Sequence, residues 1–338
     1  MIATTSITVE EQSQVAEARR MARARAENLG FDETRTEHVA IVATEAATNI
    51  LQHAGRGEIL VNTIPPRDPN SEPGMEILAL DRGPGIDNLE RCLADGYSTA
   101  STPGGGLGAI FRLSTFADVY SRAGKGTVVL ARWEEQPKNG WRPAPPLAVG
   151  ALNVCKPGET FCGDAWGTVQ NPDHSTVLVA DGLGHGYEAS MASNDAVRIF
   201  LENGSLQPQP ILQFAHLALR SSRGAAVAAA RIDHDRQVLT FCGVGNVAAQ
   251  IYSGTQPRQH LVSLNGTVGH QAHQFREFSY PWPDDGILVL HSDGLMSATS
   301  LEAHPGLASR HPSLIAGLLY RDYVRGNDDA TVVVLKVA

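Results

Sequence analysis

Apolar residues recur at helical spacing along residues 35–53, where Val39, Val42, Ala43, Ala46 and Ile50 share one side. The pattern predicts an amphipathic helix that stops at Gly55. Residues 10–29, rich in Ala, Arg and Glu and ending at Gly30, predict a helix before it. The period then shortens. Apolar runs at 59–64 and 75–80 predict strands separated by the turn-rich stretch PPRDPNSEPG. A further helix is expected from Gly108 to about Thr115. Strands at 118–121 and 127–133 follow it, joined by the turn Arg122-Ala123-Gly124-Lys125-Gly126.

Beyond residue 147 the chain changes character. Strand-like runs dominate, at 147–154, 176–180, 226–232, 238–243, 247–252, 286–291 and 330–337. Only two helical stretches interrupt them, near 189–203 and 210–221. Strands in sequence with inserted helices predict a β-sandwich flanked by helices, an α+β layering. Between the halves lies EEQPKNGWRPAPP, whose four prolines can continue neither a helix nor an inner strand. The expected organisation is a domain over 1–133, a Pro-rich linker over 134–147 acting as a semi-rigid spacer, and a domain over 148–338. A length of 338 residues agrees with two domains at roughly 150 residues each.

Charge narrows the function classes. Lys and Arg number 27 against 36 Asp and Glu, a formal charge of −9, so no basic face for nucleic acid is expected. No run approaches the roughly 18 apolar residues of a membrane span. The start MIATTSITVEEQ has neither a basic region nor an apolar core of a secretory signal. Cys92, Cys155, Cys162 and Cys242 form no Cys-x-x-Cys pair, which argues against a zinc ribbon or a disulfide scaffold. A cytoplasmic protein is expected.

Three features of the first half carry chemistry. Glu45 and Asn49 stand four residues apart on the predicted helix, so both project from one face. A carboxylate one turn from a carboxamide suits activation of a hydroxyl and holding of a hard cation. Asp81-Arg82-Gly83-Pro84-Gly85 ends an apolar strand. Its glycines permit a tight turn close to a ligand, and Asp81 offers an acceptor for the amino group of a base. Thr102-Pro103-Gly104-Gly105-Gly106-Leu107-Gly108 runs into a helix, where backbone N–H groups cradle phosphates. Alone, the first feature reads as a solvated helix face and the second as a turn, and the Gly-rich loop matches neither the Walker pattern nor the dinucleotide fingerprint. In this order and spacing they resemble the N box and glycine boxes of the GHKL ATPase superfamily, with its Bergerat α/β sandwich. GFDETRTEHVAIVATEAATNILQHAGRGEI and GTVVLARW look like the RsbT-type serine kinases of partner-switching and stressosome pathways. The resemblance covers about residues 10–133. It implies that Asn49 helps hold the Mg²⁺ of bound ATP, that Asp81 reads adenine, and that Gly104, Gly106 and Gly108 wrap the phosphates. It also implies an adenine-side place for Thr127 and a general-base role for Glu45.

The second half sets aspartates before or after small residues at strand ends: Gly163-Asp164, Asp181-Gly182-Leu183-Gly184-His185-Gly186, Ser292-Asp293-Gly294 and Asn327-Asp328-Asp329-Ala330-Thr331. Each alone is the composition of a turn. Gathered at one sandwich edge they would repel, and divalent cations with oxygen preference would stabilise them. The set resembles the SpoIIE branch of the PPM serine/threonine phosphatases, the protein phosphatase 2C fold, over about residues 148–338. That resemblance implies two Mn²⁺ or Mg²⁺ ions bridged by Asp181, with Asp164, the Gly182 carbonyl, Asp293 and Asp328 completing the site. Asp328 is chosen over Asp329 because it stands three residues before Thr331. His185 is read as part of a positioning turn, His291 as a packed strand residue and Trp282 as a loop anchor.

Together the two resemblances imply a regulator that dephosphorylates phosphoserine or phosphothreonine on a STAS-domain protein, coupled to an ATP-binding serine kinase-like domain and to a downstream switch protein. The alternative is a phosphatase whose GHKL domain is a non-catalytic ATP sensor or docking module.

Overall fold

The computed structural model describes residues 3–66, 71–87, 106–134, 146–272 and 274–337. By internal contacts the chain forms two compact units, Ile2–Arg142 with Ser309–Arg321, and Pro143–Ala308 with Asp322–Ala338. Residues 135–145, most of the expected linker, lie outside the described residues.

The first unit begins with β1 (Thr5–Val9), α1 (Gln12–Asn28) and α2 (Glu33–Asn49), followed by β2 (Gly57–Ile64) and β3 (Gly74–Asp81). It continues with α3 (Gly106–Leu113), β4 (Phe116–Arg122) and β5 (Gly126–Trp133). The strands form one antiparallel sheet in the order β1-β2-β3-β5-β4. α1 buries Val15, Ala18, Ala22 and Ala26, a stripe of mostly methyl side chains on which α2 packs closely. α2 starts where the Asp32 carboxylate accepts the Arg35 N–H at 2.7 Å. Alternation in β3 sends Met75, Ile77 and Ala79 to the helices, while Leu78 and Leu80 are buried on the other face. Ser309–Arg321 belongs to this unit although it lies late in sequence, and Gly317 there stands against Leu78, Leu80 and Val128.

The second unit contains β6 (Leu147–Val154), β7 (Asp164–Gln170), β8 (His174–Gly182), α4 (Tyr187–Asn203) and α5 (Pro208–Ala218). Then come β9 (Ala225–Asp233), β10 (Val238–Val244), β11 (Ala248–Tyr252), β12 (Gln259–His260), β13 (Phe278–Pro281) and β14 (Ile287–His291). β15 (Ala330–Val337) closes the chain, after α6 (Pro312–Tyr323), whose residues up to Arg321 belong to the first unit. Two five-stranded sheets result, β13-β10-β9-β8-β7 and β12-β11-β14-β15-β6. In β8, Val177 and Val179 enter the core shared with Leu288, Leu290, Val333 and Leu335 of the facing sheet. Their neighbours Leu178 and Ala180 face α4 and α5, against Phe200, Ile211 and Leu212. A strand apolar on both faces is therefore sandwiched between a sheet and a helical layer, as the α+β reading expects.

The sequence pattern missed β1, β7, β12, β13 and α6. Among the described residues no helix is long and apolar enough to cross a membrane. His291 is buried in β14 and Trp282 is buried with the sheet core, as read from sequence.

Candidate functional site

In the first unit, α2 presents Glu45 and Asn49 on its half-buried side, while Val42, Ala43, Ala46 and Ala47 face inward. A π-helical turn, Ile50–Ala54, follows Asn49 and ends at Gly55. Such turns interrupt the regular i→i−4 ladder and re-aim the side chains beside them. A Cβ on Gly106, at the start of α3, would stand 3.9 Å from Asn49 Oδ1. Asn49 and Gly106 at the start of α3 therefore meet. Gly108 lies two residues further along α3, about half a turn on. Gly104 and the preceding residues 88–103 fall outside the described residues.

Asp81 ends β3. Its Oδ1 accepts the Gly83 N–H at 2.8 Å and the Thr127 N–H at 3.2 Å. Burial pushes the Asp81 carboxyl above the usual carboxylate range, and these two N–H groups oppose that shift. The turn after Asp81 is tied to the β4–β5 hairpin. Gly124 N–H donates to the Pro84 carbonyl at 2.7 Å, and Ile86 N–H donates to Ser121 Oγ at 2.8 Å. Ser121 Oγ in turn pairs with Thr127 Oγ1 at 2.9 Å. Gly85 has φ +77°, and a Cβ there would stand 2.1 Å from the Arg122 carbonyl oxygen. Only glycine fits this turn. Within the same unit Arg321 Nη1 donates to the Asp81 carbonyl at 2.8 Å, a contact that no sequence pattern announced.

In the second unit the register of β7 against β8 sets Asp164 directly opposite Asp181. Gly182 N–H donates to the Gly163 carbonyl at 3.0 Å, closing that end of the ladder. β14 delivers Asp293, whose Oδ2 accepts Asn246 Nδ2 at 2.7 Å. The Asp293-Gly294 turn lies hard against the loop before β15: a Cβ on Gly294 would sit 1.9 Å from the Asp329 carbonyl oxygen. Arg325 N–H donates to the Gly294 carbonyl at 2.9 Å. These contacts bring Asp164, Asp181, Asp293 and the loop carrying Asp328 and Asp329 to one edge of the sandwich.

The adjacent pair takes different environments. Asp329 is buried, and its two oxygens accept the Lys156 N–H at 2.8 Å and the Gly163 N–H at 2.9 Å. Asp328 is half-buried and accepts only the neighbouring Asp329 N–H at 2.9 Å among the described bonds. Asp329 is thus engaged in holding two backbone segments, and Asp328 retains its carboxylate for another partner. Burial, followed by the charges of Asp164, Asp293, Asp328 and Asp329, raises the Asp181 carboxyl far above its ordinary range. Asp164 is likewise raised, first by burial. Asp164 Oδ2 is buried with no hydrogen-bond partner. An unpartnered buried carboxylate oxygen among like charges fits a hard divalent cation, and the donors here are all oxygen. Asp164, Asp181, Asp293, Asp328 and the Gly182 carbonyl are the residues available to hold it.

His185 is half-exposed and hydrogen-bonds Glu159 through Nδ1 at 2.6 Å. On the same rim Arg223 pairs with Glu188. Sequence reasoning missed one further group. Cys155, Cys162 and Asp329 place two Sγ atoms and a carboxylate oxygen within 4.8 Å of one another. The linear Cys-x₆-Cys spacing matches no standard motif, and only the pairing of β6 with β15 brings Asp329 to it.

Comparison with known proteins agrees with this division. Residues 8–133 match the family model "Histidine kinase-like ATPase domain", and residues 171–338 match "Stage II sporulation protein E (SpoIIE)". The chain is 33% identical over 120 residues to the serine/threonine-protein kinase RsbT of Bacillus subtilis, covering 35% of this chain and 88% of that protein. It is 26% identical over 141 residues to the phosphoserine phosphatase RsbX of the same organism, covering 41% of this chain and 70% of that protein. A solved structure described under the bacterial stressosome aligns with TM-score 0.53 and 27% identity, over 56% of this chain and 99% of its own. RsbX in complex with magnesium aligns with TM-score 0.50 and 20% identity, over 57% of this chain and 96% of its own, a likeness of fold. The chain belongs to two families in tandem, the RsbT-like histidine kinase-type ATPases through its first part and the SpoIIE-type PPM phosphatases through its second.

Proposed function

We propose that the chain is a bifunctional regulator of a partner-switching system. Its PPM half removes phosphate from phosphoserine or phosphothreonine on a STAS-domain protein. The observation that carries this reading is the convergence of Asp164, Asp181, Asp293 and Asp328 on one sandwich edge, with Asp164 paired to Asp181 in register. Asp164, Asp181, Asp293, Asp328 and the Gly182 carbonyl would hold two divalent cations, Mg²⁺ or Mn²⁺, which would supply an activated water and offset the charge of the phosphoryl oxygens. Asp181 would serve both ions, and Asp329 keeps the ligand loops in place through Lys156 and Gly163. The similarity to RsbX and to a solved structure of the bacterial stressosome supports the substrate class.

The RsbT-like half binds ATP with Mg²⁺. Asp81, with Oδ1 already loaded by two N–H donors, directs its other oxygen to the adenine amino group. Asn49 helps hold Mg²⁺, Thr127 lines the adenine side, and Gly83, Gly85, Gly104, Gly106 and Gly108 shape the turns around base and phosphates. Glu45, one turn before Asn49, accepts the proton of a substrate serine hydroxyl as it attacks the γ-phosphorus and the β–γ bond breaks. A downstream switch protein reads the phosphorylation state. The site of action is cytoplasmic.

The test uses a STAS-domain protein phosphorylated on serine, incubated with the full chain and Mn²⁺. Phosphate release is expected from wild type and is lost in Asp181→Asn. No release, or release unaffected by that substitution, sinks the phosphatase reading. Transfer of labelled phosphate from ATP to the unphosphorylated partner is expected to vanish in Glu45→Ala while ATP binding persists. ATP binding without transfer in wild type makes the first half a sensor or docking module instead.

A further inference from the structure

Cys155, Cys162 and Asp329 lie in the second unit, on the loop between β6 and β7 and the loop before β15. None of the three belongs to the donor set assigned above. Their two sulfurs and one carboxylate oxygen fall within 4.8 Å of one another. In a tetrahedral thiolate site with metal–sulfur bonds of about 2.3 Å, neighbouring donors stand about 3.8 Å apart. The observed cluster therefore needs only a small contraction to close on one ion.

We propose that Cys155 Sγ, Cys162 Sγ and the Asp329 carboxylate form a second cation site, selective for a thiophilic divalent ion of the Zn²⁺ class. The chemistry of the donors separates it from its neighbour. The four-aspartate edge offers only oxygen and suits Mg²⁺ or Mn²⁺, whereas two thiolates favour a softer ion. Binding forms two metal–sulfur bonds and releases the two thiol protons to solvent. Asp329 keeps its backbone partners, because each carboxylate oxygen has a further lone pair beyond the one that accepts Lys156 or Gly163 N–H. Burial differs across the cluster. Cys162 and Asp329 are buried, while Cys155 is half-buried, so an ion enters from the Cys155 side. Three protein donors leave a coordination position open, which is the pattern of an exchangeable site and not of a closed structural one. The covalent links to the carboxylate edge are short. Cys162 precedes Asp164 by two residues, and Asp329 follows Asp328 directly. Loading one site thus fixes backbone that carries two ligands of the other.

The experiment takes the full chain with Cys92 and Cys242 replaced by alanine, reduced and supplied with excess Mg²⁺, and titrates it with Cd²⁺. The readout is thiolate-to-metal charge-transfer absorption in the ultraviolet, which does not depend on enzymatic activity. One equivalent is expected to saturate the band. C155S and C162S are each expected to abolish the one-equivalent saturation, and D329N to weaken binding with the band retained. D181N, which alters only the carboxylate edge, is expected to leave the band intact. Circular dichroism of each variant shows that it has folded. The proposal is overturned if the parent protein gives no band, if the band survives loss of either thiol, or if D181N removes it. It is also overturned if both thiols of the reduced parent remain fully reactive to a thiol reagent after one equivalent of Cd²⁺ is added.

Discussion

Replacing Asp329 by alanine separates a carboxylate that holds the fold from one that holds a cation. Asp329 is 3% exposed and accepts N–H groups from Lys156 at 2.8 Å and Gly163 at 2.9 Å. A hydrogen bond to a charged group contributes about 1.5–3 kcal/mol, and a buried donor left unpaired carries its own desolvation cost. Two such bonds give about 3–6 kcal/mol. Asp329 also raises the carboxyls of Asp164 and Asp181 through its charge, so its removal relieves repulsion. The lower end, about 3 kcal/mol, is the expected loss. Asp328→Asn is the contrasting change. An asparagine Oδ1 can still accept the Asp329 N–H, and the lost charge relieves repulsion on Asp181 and Asp293, so stability without metal should not fall. Urea unfolding in the presence of a chelator, repeated with Mn²⁺, reads both effects. D329A should lower the chelated midpoint. D328N should not lower that midpoint and should lose the Mn²⁺-dependent increase. Unchanged chelated stability in D329A, or full Mn²⁺ stabilisation in D328N, refutes the division of labour between the two residues.

Other expectations follow from the first unit. Gly85→Ala forces a side chain into φ +77° with its Cβ 2.1 Å from the Arg122 carbonyl, so it should cost at least about 2 kcal/mol and weaken binding of a fluorescent ATP analogue. Asp81→Asn should reduce the preference for ATP over GTP in competition binding, since Oδ1 keeps the Gly83 and Thr127 donors and only the acceptor facing the base is altered. Glu58 is raised above the carboxylate range by burial, despite bonds from Ser6 Oγ and from Tyr320 OH at 3.2 Å. A raised acid stabilises the fold below its unfolded pKa, and that stability fades as pH rises through the folded pKa. Glu58→Gln should therefore flatten the decline in urea midpoint as pH rises above the usual carboxylate range, and an unchanged slope contradicts the assignment.

Much of the fold was legible because its strands carry clean apolar runs. β6 and β15 were read at their observed bounds, and α2 announced itself by Val39, Val42, Ala43 and Ala46. β7, with the sequence DAWGTVQ, has no sustained alternation and is recognisable only through its pairing with β8. Asp164 was nevertheless identified, because the Gly-Asp motif does not depend on locating the strand. α6 was missed for the opposite reason. Pro312 through Arg321 are all buried, so the helix lacks the polar face that marks a period. The Arg321 contact with Asp81 crosses 240 positions of sequence, and local patterning carries no information at that separation. The same holds for the cysteine cluster. Sequence spacing argued against a thiolate site, yet β6, β7 and β15 converge to place Cys155, Cys162 and Asp329 together.

The central claim is that oxygen donors from four separated segments hold two divalent cations at one edge of the second unit. Anomalous diffraction from crystals of the full chain grown with Mn²⁺ tests it directly. Two manganese peaks flanking Asp181, with Asp164, Asp293, Asp328 and the Gly182 carbonyl as their protein ligands, are the predicted result. Absence of manganese from that edge, or manganese held by Asp329 in place of Asp328, contradicts it.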